Sequence, residues 1–145
     1  MKNAYLMALC RDGQNVNPLF NLLGAKLVEA EDGRARIDLP LSPCLAQGMG
    51  VVAGGILATL ADEAMAHAVI SLLDEDRFMV TTEMNIRYLR ASDPQRDGIL
   101  SAAAVVVKPG RSIITTSAEI VDETGRLLAT AGGSFFVSDR SRAKP

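Results

Sequence analysis

Two kinds of group that could act on a carbonyl lie close together in the segment Gln47 to Ala68, QGMGVVAGGILATLADEAMAHA. Four glycines fall within eight residues, and the run after Gly55, which has no Gly or Pro, predicts a helix. Asp62 follows Gly55 by seven residues, two turns along nearly the same helix face. Unpaired N–H groups at the helix start can polarise a carbonyl, and a carboxylate can attack it or activate water. The segment therefore predicts chemistry on a carbonyl group.

The other polar residues of this segment have plainer predicted roles. Glu63 lies about 100° around the helix from Asp62, which favours surface or interface pairing. His67 is the single histidine and lies one turn beyond Glu63, so a Glu63–His67 pair is predicted rather than a catalytic histidine. Cys10 and Cys44 have neither metal-type spacing nor a nearby His, so they predict reduced thiols in a cytoplasmic protein, with no metal site.

The sequence also matches a dinucleotide-binding motif by residue type and spacing. Residues Gly48 to Ala53 satisfy the pattern Gly-x-Gly-x-x-Ala. That fingerprint needs a strand directly before it and a parallel βαβ unit around it. Ser42-Pro43-Cys44 precedes the motif, and the following strands are predicted to be antiparallel, so we interpret it as a coincidence within a glycine-rich loop.

Composition excludes several functional classes. The chain has 145 residues, the range of one domain, with 48% hydrophobic and 22% charged residues. A net charge of −2 and 4% aromatic residues predict no nucleic-acid partner. Charged residues interrupt the longest apolar run and no signal peptide is recognised, so no membrane partner is expected.

Helices and strands follow from local patterns. Short helices are predicted at Asn3 to Leu9 and from Asn17-Pro18 to Gly24. The central helix is predicted to end near Leu73, and the tail, residues 138–145, to be frayed. Phe78 to Leu89 alternates at a strict period of two. The predicted strands are Ala25–Ala30, Arg34–Leu41, Phe78–Leu89, Gly98–Val107, Arg111–Val121 and Leu127–Val137.

The order is thus two strands, one long helix and four strands linked by short turns. This order predicts a single α+β domain, residues 1–145, whose antiparallel sheet wraps around the central helix. One helix covers one face of such a sheet poorly, so two chains are expected to complete a larger sheet. We predict a homodimer at least, extending to a homotetramer.

Several stretches together resemble the hotdog-fold acyl-CoA thioesterases, specifically the PaaI-like branch associated with phenylacetate breakdown. The resemblance runs from about Asn17 to Val137 and is carried by a collinear set of segments. These are NPLFNLLGAKLVEAEDGRARIDLPL, QGMGVVAGGILATLADEA, VTTEMNIRYLR, the KPGRS turn and DETGRLLATAGGSFFV. The resemblance implies a hotdog fold and the hydrolysis of an acyl-CoA or aryl-CoA thioester without a cofactor, since coenzyme A belongs to the substrate.

The resemblance also implies roles for individual residues. The family's helix acid falls on Asp62, as nucleophile or general base, and its oxyanion donor falls on the Gly54 N–H. The family's Asn corresponds to Gln47, and the hydroxyl group that positions water corresponds to Thr81. In this family the acid and the oxyanion donor come from opposite subunits. Ala53 stands where the family has His.

Coenzyme A carries phosphates, so basic groups and free N–H groups are expected near the entrance of the site. The strongest candidate is the Lys-Pro-Gly-Arg-Ser turn, because a tight turn also offers backbone N–H groups. The full set of predicted substrate-binding residues is Gly55, Arg87, Arg90, Lys108, Arg111 and Ser112.

Two other functions stay open at this level. The chain could bind acyl-CoA or an acyl carrier without hydrolysis, since the family His is missing at Ala53. It could instead be a hotdog dehydratase acting on 3-hydroxyacyl thioesters, although that branch pairs its Asp with a His near the loop. The sequence leaves the acyl group unidentified, and its pocket is expected to be lined from residues such as Leu57, Met65, Phe78 and Met84.

Overall fold

The computed structural model of the protein describes residues 3–11 and 13–142. The predicted order of two strands, one long helix and four strands is confirmed. Among the described residues, no helix is both long and apolar enough to cross a membrane. The elements are α1 (Ala4–Leu9), α2 (Pro18–Leu23), β1 (Lys26–Glu31), β2 (Arg34–Pro40), α3 (Gly54–Ile70), β3 (Arg77–Tyr88), β4 (Ile99–Lys108), β5 (Ile113–Val121) and β6 (Leu127–Asp139).

The two short N-terminal helices begin at asparagine caps. The Asn3 side chain accepts hydrogen bonds from the N–H groups of Tyr5 and Leu6. Asn17 caps α2 in the same way, with Pro in the first turn, and Gly24 ends that helix in the left-handed conformation at φ 74°. These features satisfy end groups that a six-residue helix could not otherwise pair.

The six strands form one antiparallel sheet in the order β1-β2-β4-β5-β6-β3. Strands β1 and β3 are therefore the two edges. The expectation of short turns throughout was wrong at one place, because β3 pairs with β6 rather than with β4. Residues 89–98 carry the chain from one edge of the sheet back to its middle, so no strand of the described residues pairs with the outer edge of β3.

Helix α3 packs against the sheet through small and medium apolar residues. Ala61, Ala64 and Ala68 are fully buried, together with Met65. Their short side chains allow a close approach of the helix to strands β2, β4 and β5. The predicted sheet wrapped around a central helix is thus confirmed.

Strand β3 departs from the strict alternation that its sequence predicts. Pairing with β6 is regular up to Thr81 and resumes at Glu83, which leaves Thr82 as a bulge. The extra residue shifts the alternation by one position, so Val80 is 48% exposed whereas Met84 packs against the core. Because of the bulge, both Thr81 and Met84 can face α3.

Three predicted boundaries differ from the structure by two residues or more. Strand β5 begins at Ile113 rather than at Arg111, so Arg111 and Ser112 belong to the turn before it. Helix α3 ends at Ile70 rather than near Leu73, and residues 71–73 form a turn that continues it. Strand β6 runs to Asp139, beyond the predicted end at Val137, because Asp139 pairs with Arg77 and the Arg140 N–H donates to the Asp76 carbonyl. A short 3-10 helix follows at Arg140–Arg142, and residues 143–145 of the predicted frayed tail lie outside the described residues.

Candidate active site

Asp62 projects from the middle of α3 toward strand β3. Its Oδ1 accepts a hydrogen bond of 2.9 Å from the Thr81 hydroxyl, so the structure brings together two of the predicted site residues. Asp62 is half-buried, and Thr81 lies on the inner face of the edge strand. The carboxylate is therefore fixed in direction without being enclosed.

The start of α3 leaves backbone donors free. Ala53 occupies the N-cap position in an extended conformation and contributes no capping side chain. The N–H groups of Ala53, Ile56 and Leu57 have backbone acceptors. Among the described residues, none accepts a hydrogen bond from the Gly54 or Gly55 N–H. Since the first turn of α3 carries no acidic residue, its positive end is uncompensated and suits an oxyanion.

The glycine-rich loop before α3 is held mainly by backbone hydrogen bonds. The Ala53 N–H donates to the Leu45 carbonyl and the Val52 N–H to the Ser92 carbonyl, both at 2.9 Å. Gln47 closes the turn, because its side-chain oxygen accepts from the Met49 N–H and its carbonyl accepts from the Gly50 N–H. Gln47 thus uses its amide oxygen to shape the loop.

Tyr88 is a site residue that the sequence reasoning missed. Its hydroxyl donates a 2.9 Å hydrogen bond to the Gly54 carbonyl, and its ring covers the Gly54 Cα so closely that an added Cβ would lie 3.2 Å from the ring. A cavity of about 350 Å³ beside this contact is lined by Gln47, Gly54, Tyr88 and Arg90, among others. The alternation placed Tyr88 in a strand, but no local signal marked its contact with the loop.

The predicted Glu63–His67 pair is confirmed, and its form is more specific than an ion pair. His67 Nδ1 lies 2.6 Å from the Glu63 carbonyl oxygen, which can only accept, so Nδ1 carries the proton. Nε2 then accepts from the Tyr5 hydroxyl at 3.1 Å. The Asn17 side-chain amide donates to both the Tyr5 oxygen and the Glu63 carboxylate. This network ties α1 and α2 to a face of α3 that lies about 100–140° around the helix from Asp62.

Burial sets the protonation of this network. It lowers the pKa of His67, which favours the neutral ring. Burial raises the pKa of Glu63, and the neighbouring Asp62 charge adds to that effect while the hydrogen bond from Asn17 opposes it. Burial also raises the pKa of Tyr5. These hydrogen bonds join α1, α2 and α3 to one another, so we assign the network a structural role.

Comparison with known proteins decides the family. The model of the thioesterase superfamily matches residues 49–129, more than half of the chain. The chain belongs to the thioesterase superfamily. The predicted resemblance and the hotdog fold are confirmed, and the activity is that of a thioesterase-superfamily hydrolase.

Individual relatives agree with this assignment. The chain is 28% identical to a mutant PaaI of Thermus thermophilus, over 83% of this chain and 98% of that one, with a TM-score of 0.75. It is 26% identical to a hypothetical thioesterase of Streptococcus pneumoniae determined with coenzyme A, over 79% and 89%, with a TM-score of 0.72. It is 26% identical to the 1,4-dihydroxy-2-naphthoyl-CoA hydrolase of Listeria monocytogenes, over 83% and 95%.

The predicted phosphate-binding residues fall into two groups at opposite ends of β3. Arg90 lies with Gln47 and Gly54 at one end, where its guanidinium donates to the Leu127 carbonyl. Arg87 is exposed on the same strand. Lys108, Arg111 and Ser112 surround the β4–β5 turn at the other end, where Arg77 donates to the Arg111 carbonyl. Strand β3 has 12 residues and spans about 35–40 Å, so one chain does not bring the two groups together.

Among the described residues, no three His, Cys, Asp or Glu side chains are grouped to hold a metal ion.

Tyr88→Phe tests the contact between β3 and the glycine-rich loop. The variant keeps the ring over Gly54 but removes one half-exposed hydrogen bond, so the free energy of unfolding should fall by about 0.5–1.5 kcal/mol. Amide hydrogen exchange should quicken in peptides covering residues 45–57, while peptides from β1 and β2 serve as the internal control. Unchanged exchange in the loop would show that the hydroxyl does not hold it.

Glu63→Gln tests the protonation of the buried network. The lowered pKa of His67 gives stability that is full above the unfolded value of 6.5 and is lost as pH falls. The raised pKa of Glu63 gives stability that is present below the unfolded value of 4.5 and is lost as pH rises through the folded pKa. The two slopes oppose each other, so the unfolding free energy of the variant should rise more steeply than that of the wild type between about pH 5 and 7. Urea unfolding at several pH values measures this, and a shallower slope would contradict it.

Proposed function

We propose that the protein hydrolyses acyl-CoA or aryl-CoA thioesters at sites shared between two subunits. The observation that carries the proposal is the fixed carboxylate of Asp62, held by Thr81 beside an unpartnered sheet edge. The coenzyme A in the structure of the Streptococcus pneumoniae relative and the CoA hydrolase name of the Listeria monocytogenes relative support this substrate class. No separate cofactor is proposed.

The distance along α3 requires two chains. Gly54 and Asp62 are eight residues apart, which is about 12 Å at 1.5 Å per residue. A reacting carbonyl must lie about 3 Å from its oxyanion donor and about 3 Å from the attacking oxygen, which belongs either to Asp62 or to a water molecule hydrogen-bonded to Asp62. One helix therefore cannot supply both groups to one substrate.

Antiparallel pairing of two β3 edges would bring the Asp62 of one subunit close to the Gly54 of the other. Thr81 contacts Asp62 and Tyr88 contacts Gly54, so the two contacts mark matching levels on β3 and α3. Halfway between the two contacts lies position 58 on α3. On β3 the halfway point lies between positions 84 and 85. A two-fold axis through that level would place the Asp62 of one subunit opposite the Gly54 of its partner, twice per dimer.

The same symmetry accounts for the two groups of basic residues. Antiparallel β3 strands would bring the Lys108–Ser112 turn of one subunit toward Arg90 of its partner. The phosphates of coenzyme A would then meet cations from both chains, with Arg87 on the strand between them. A homodimer is the smallest assembly with a complete site, and a homotetramer would hold two such dimers.

In the proposed reaction, Asp62 acts as the general base. It takes a proton from a water molecule that Thr81 helps to position, and the water oxygen attacks the thioester carbon. The Gly54 N–H stabilises the oxyanion, with the Gly55 N–H beside it. The C–S bond then breaks, the proton passes to the thiolate, and a carboxylic acid and free coenzyme A leave. Direct attack by the Asp62 carboxylate would form an anhydride instead and depends on the same residue.

Asp62→Asn should lower kcat for acyl-CoA hydrolysis at least 100-fold, because the amide cannot accept the proton. The neighbouring Glu63→Gln is the matched control, since it neutralises an adjacent carboxylate on another face of α3. Release of free thiol from a panel of acyl-CoAs measures both. Equal rates in wild type and Asp62→Asn would remove Asp62 from the mechanism.

Subunit mixing tests the shared site. Gly54→Pro removes the N–H, and proline fits the first helical turn after the extended Ala53, although its ring must displace Tyr88 slightly. Gly54→Ala keeps the N–H and controls for that displacement. A mixed dimer of Asp62→Asn and Gly54→Pro contains one intact site out of two.

Random coexpression of these two inactive variants should therefore restore about one quarter of wild-type activity, since about half of the dimers are mixed. Each variant alone should stay inactive. No recovery in a dimer shown to be mixed would place both groups of one site in the same chain.

A further inference from the structure

Strand β3 carries a charge pattern that is complementary to itself on the face of the sheet that points away from α3. Glu83, Asn85 and Arg87 are exposed on this outer face. They alternate with Met84 and Ile86, which pack against the core on the inner face. Opposite charges thus lie two residues to either side of a neutral centre. A second copy of the strand, running antiparallel, could place Glu against Arg on both sides of that centre.

Within one chain the two charges cannot pair. Glu83 and Arg87 are four residues apart along the strand, which is about 13 Å. The Glu83 carboxylate accepts long hydrogen bonds from the Ser134 hydroxyl at 3.3 Å and from the Asn85 amide at 3.4 Å. Among the described residues, no carboxylate forms an ion pair with Arg87. Both charges can therefore take a partner from another molecule.

Antiparallel pairing restricts where a two-fold axis can cross β3. In a continuous sheet with both copies of α3 on one side, directly opposite residues point to the same face. Met84 on the inner face therefore cannot lie opposite Asn85 on the outer face. The axis must cross the strand at a residue, and the halfway point between positions 84 and 85 leaves two choices. These are Met84 and Asn85.

Charge and polarity favour the axis at Asn85. In that register Glu83 lies opposite Arg87 of the partner subunit, so an ion pair forms twice on the outer face. Met84 lies opposite Ile86 of the partner subunit, so apolar side chains meet on the inner face. Asn85 meets its own copy, and an amide can both donate to and accept from another amide. With the axis at Met84, Glu83 would lie opposite Asn85 of the partner subunit, and neither charge would be neutralised.

We propose that Glu83, Asn85 and Arg87 select a second copy of this chain as the partner of β3 and set its register, with the two-fold axis at Asn85. The inference rests on the shared sites of the proposed function. Moving the axis by one residue shifts the partner strand by two residues, about 7 Å, which exceeds the approach of about 3 Å that a reacting carbonyl needs. Arg87 can then contact a phosphate only through the N–H groups that the partner's Glu83 leaves free.

Charge exchange tests the pairing. Glu83→Arg and Arg87→Glu each place like charges opposite one another in their own homodimers, whereas a dimer of one variant with the other restores both ion pairs. Coexpression with tags of different length should therefore raise the mixed fraction from about one half, the value for wild type, to about four fifths or more. Native mass spectrometry measures this fraction. The double variant Glu83→Arg/Arg87→Glu restores both pairs in its own homodimer and should dimerise as the wild type does.

The opposite edge of the sheet supplies the matched control. Glu29→Arg and Lys26→Glu make the same kind of charge change at exposed residues of β1. Their mixed fraction should stay at about one half. A mixed fraction of about one half for the two β3 variants would overturn the proposal.

Cysteine cross-linking measures the register directly. In a background of Cys10→Ser and Cys44→Ser, Asn85→Cys places two thiols opposite each other, and mild oxidation should link the subunits on a non-reducing gel. Met84→Cys is the control, because its two copies would lie diagonally at about 7–8 Å, beyond the reach of a disulfide. A link in Met84→Cys, or none in Asn85→Cys, would contradict an axis at Asn85.

These measurements need no substrate, so the pairing and the proposed function can fail separately. A dimer that shows the mixed preference and the Asn85→Cys link but hydrolyses no acyl-CoA would refute the function and support the pairing. An active dimer that shows neither would do the reverse. A wild type that is monomeric at micromolar concentration would overturn both the pairing and the shared sites.

Discussion

A carboxylate and a set of free amide groups placed two turns apart on one helix cannot act on the same carbonyl group. This spacing is the constraint on which the proposed site depends. The second half of α3 is buried all round, over residues 64–69, so Asp62 cannot move toward Gly54 without breaking the core formed by Ala61, Ala64 and Met65. In the proposed site the missing half comes from a second subunit, and the open edge of β3 is the place where a second sheet could join.

Each side of α3 has a separate task. One side packs against the sheet through alanines, and the Glu63–His67 side anchors α1 and α2 through Tyr5 and Asn17. The Asp62 side faces β3, which leaves that carboxylate near the open edge. Two adjacent acids thus have different environments, since Glu63 is held inside a network while Asp62 has one hydroxyl partner.

The sequence predicted the elements well because their signals are local. Asn caps, a left-handed Gly24 and alternating strands each depend on a few neighbouring residues. The Thr82 bulge was missed because alternation in a sequence does not register an extra residue that only the partner strand reveals. Tyr88, Tyr5 and Asn17 were missed as contact residues for the same reason, since their partners lie 34, 62 and 46 residues away. The sheet order likewise depends on pairing over long distances.

Ala53 stands where the PaaI-like family has a histidine, and this difference affects the N-terminus of α3. An alanine at the N-cap leaves the first N–H groups of α3 without a side-chain acceptor, whereas Ser, Thr, Asp or Asn would occupy one of them. The loop still has a fixed shape, because backbone hydrogen bonds hold Val52 and Ala53 and the Tyr88 hydroxyl holds the Gly54 carbonyl. The geometry that an oxyanion site needs is therefore retained without an imidazole. In the proposed site, Ala53 would change the space and polarity beside the reacting carbonyl rather than the position of the donors.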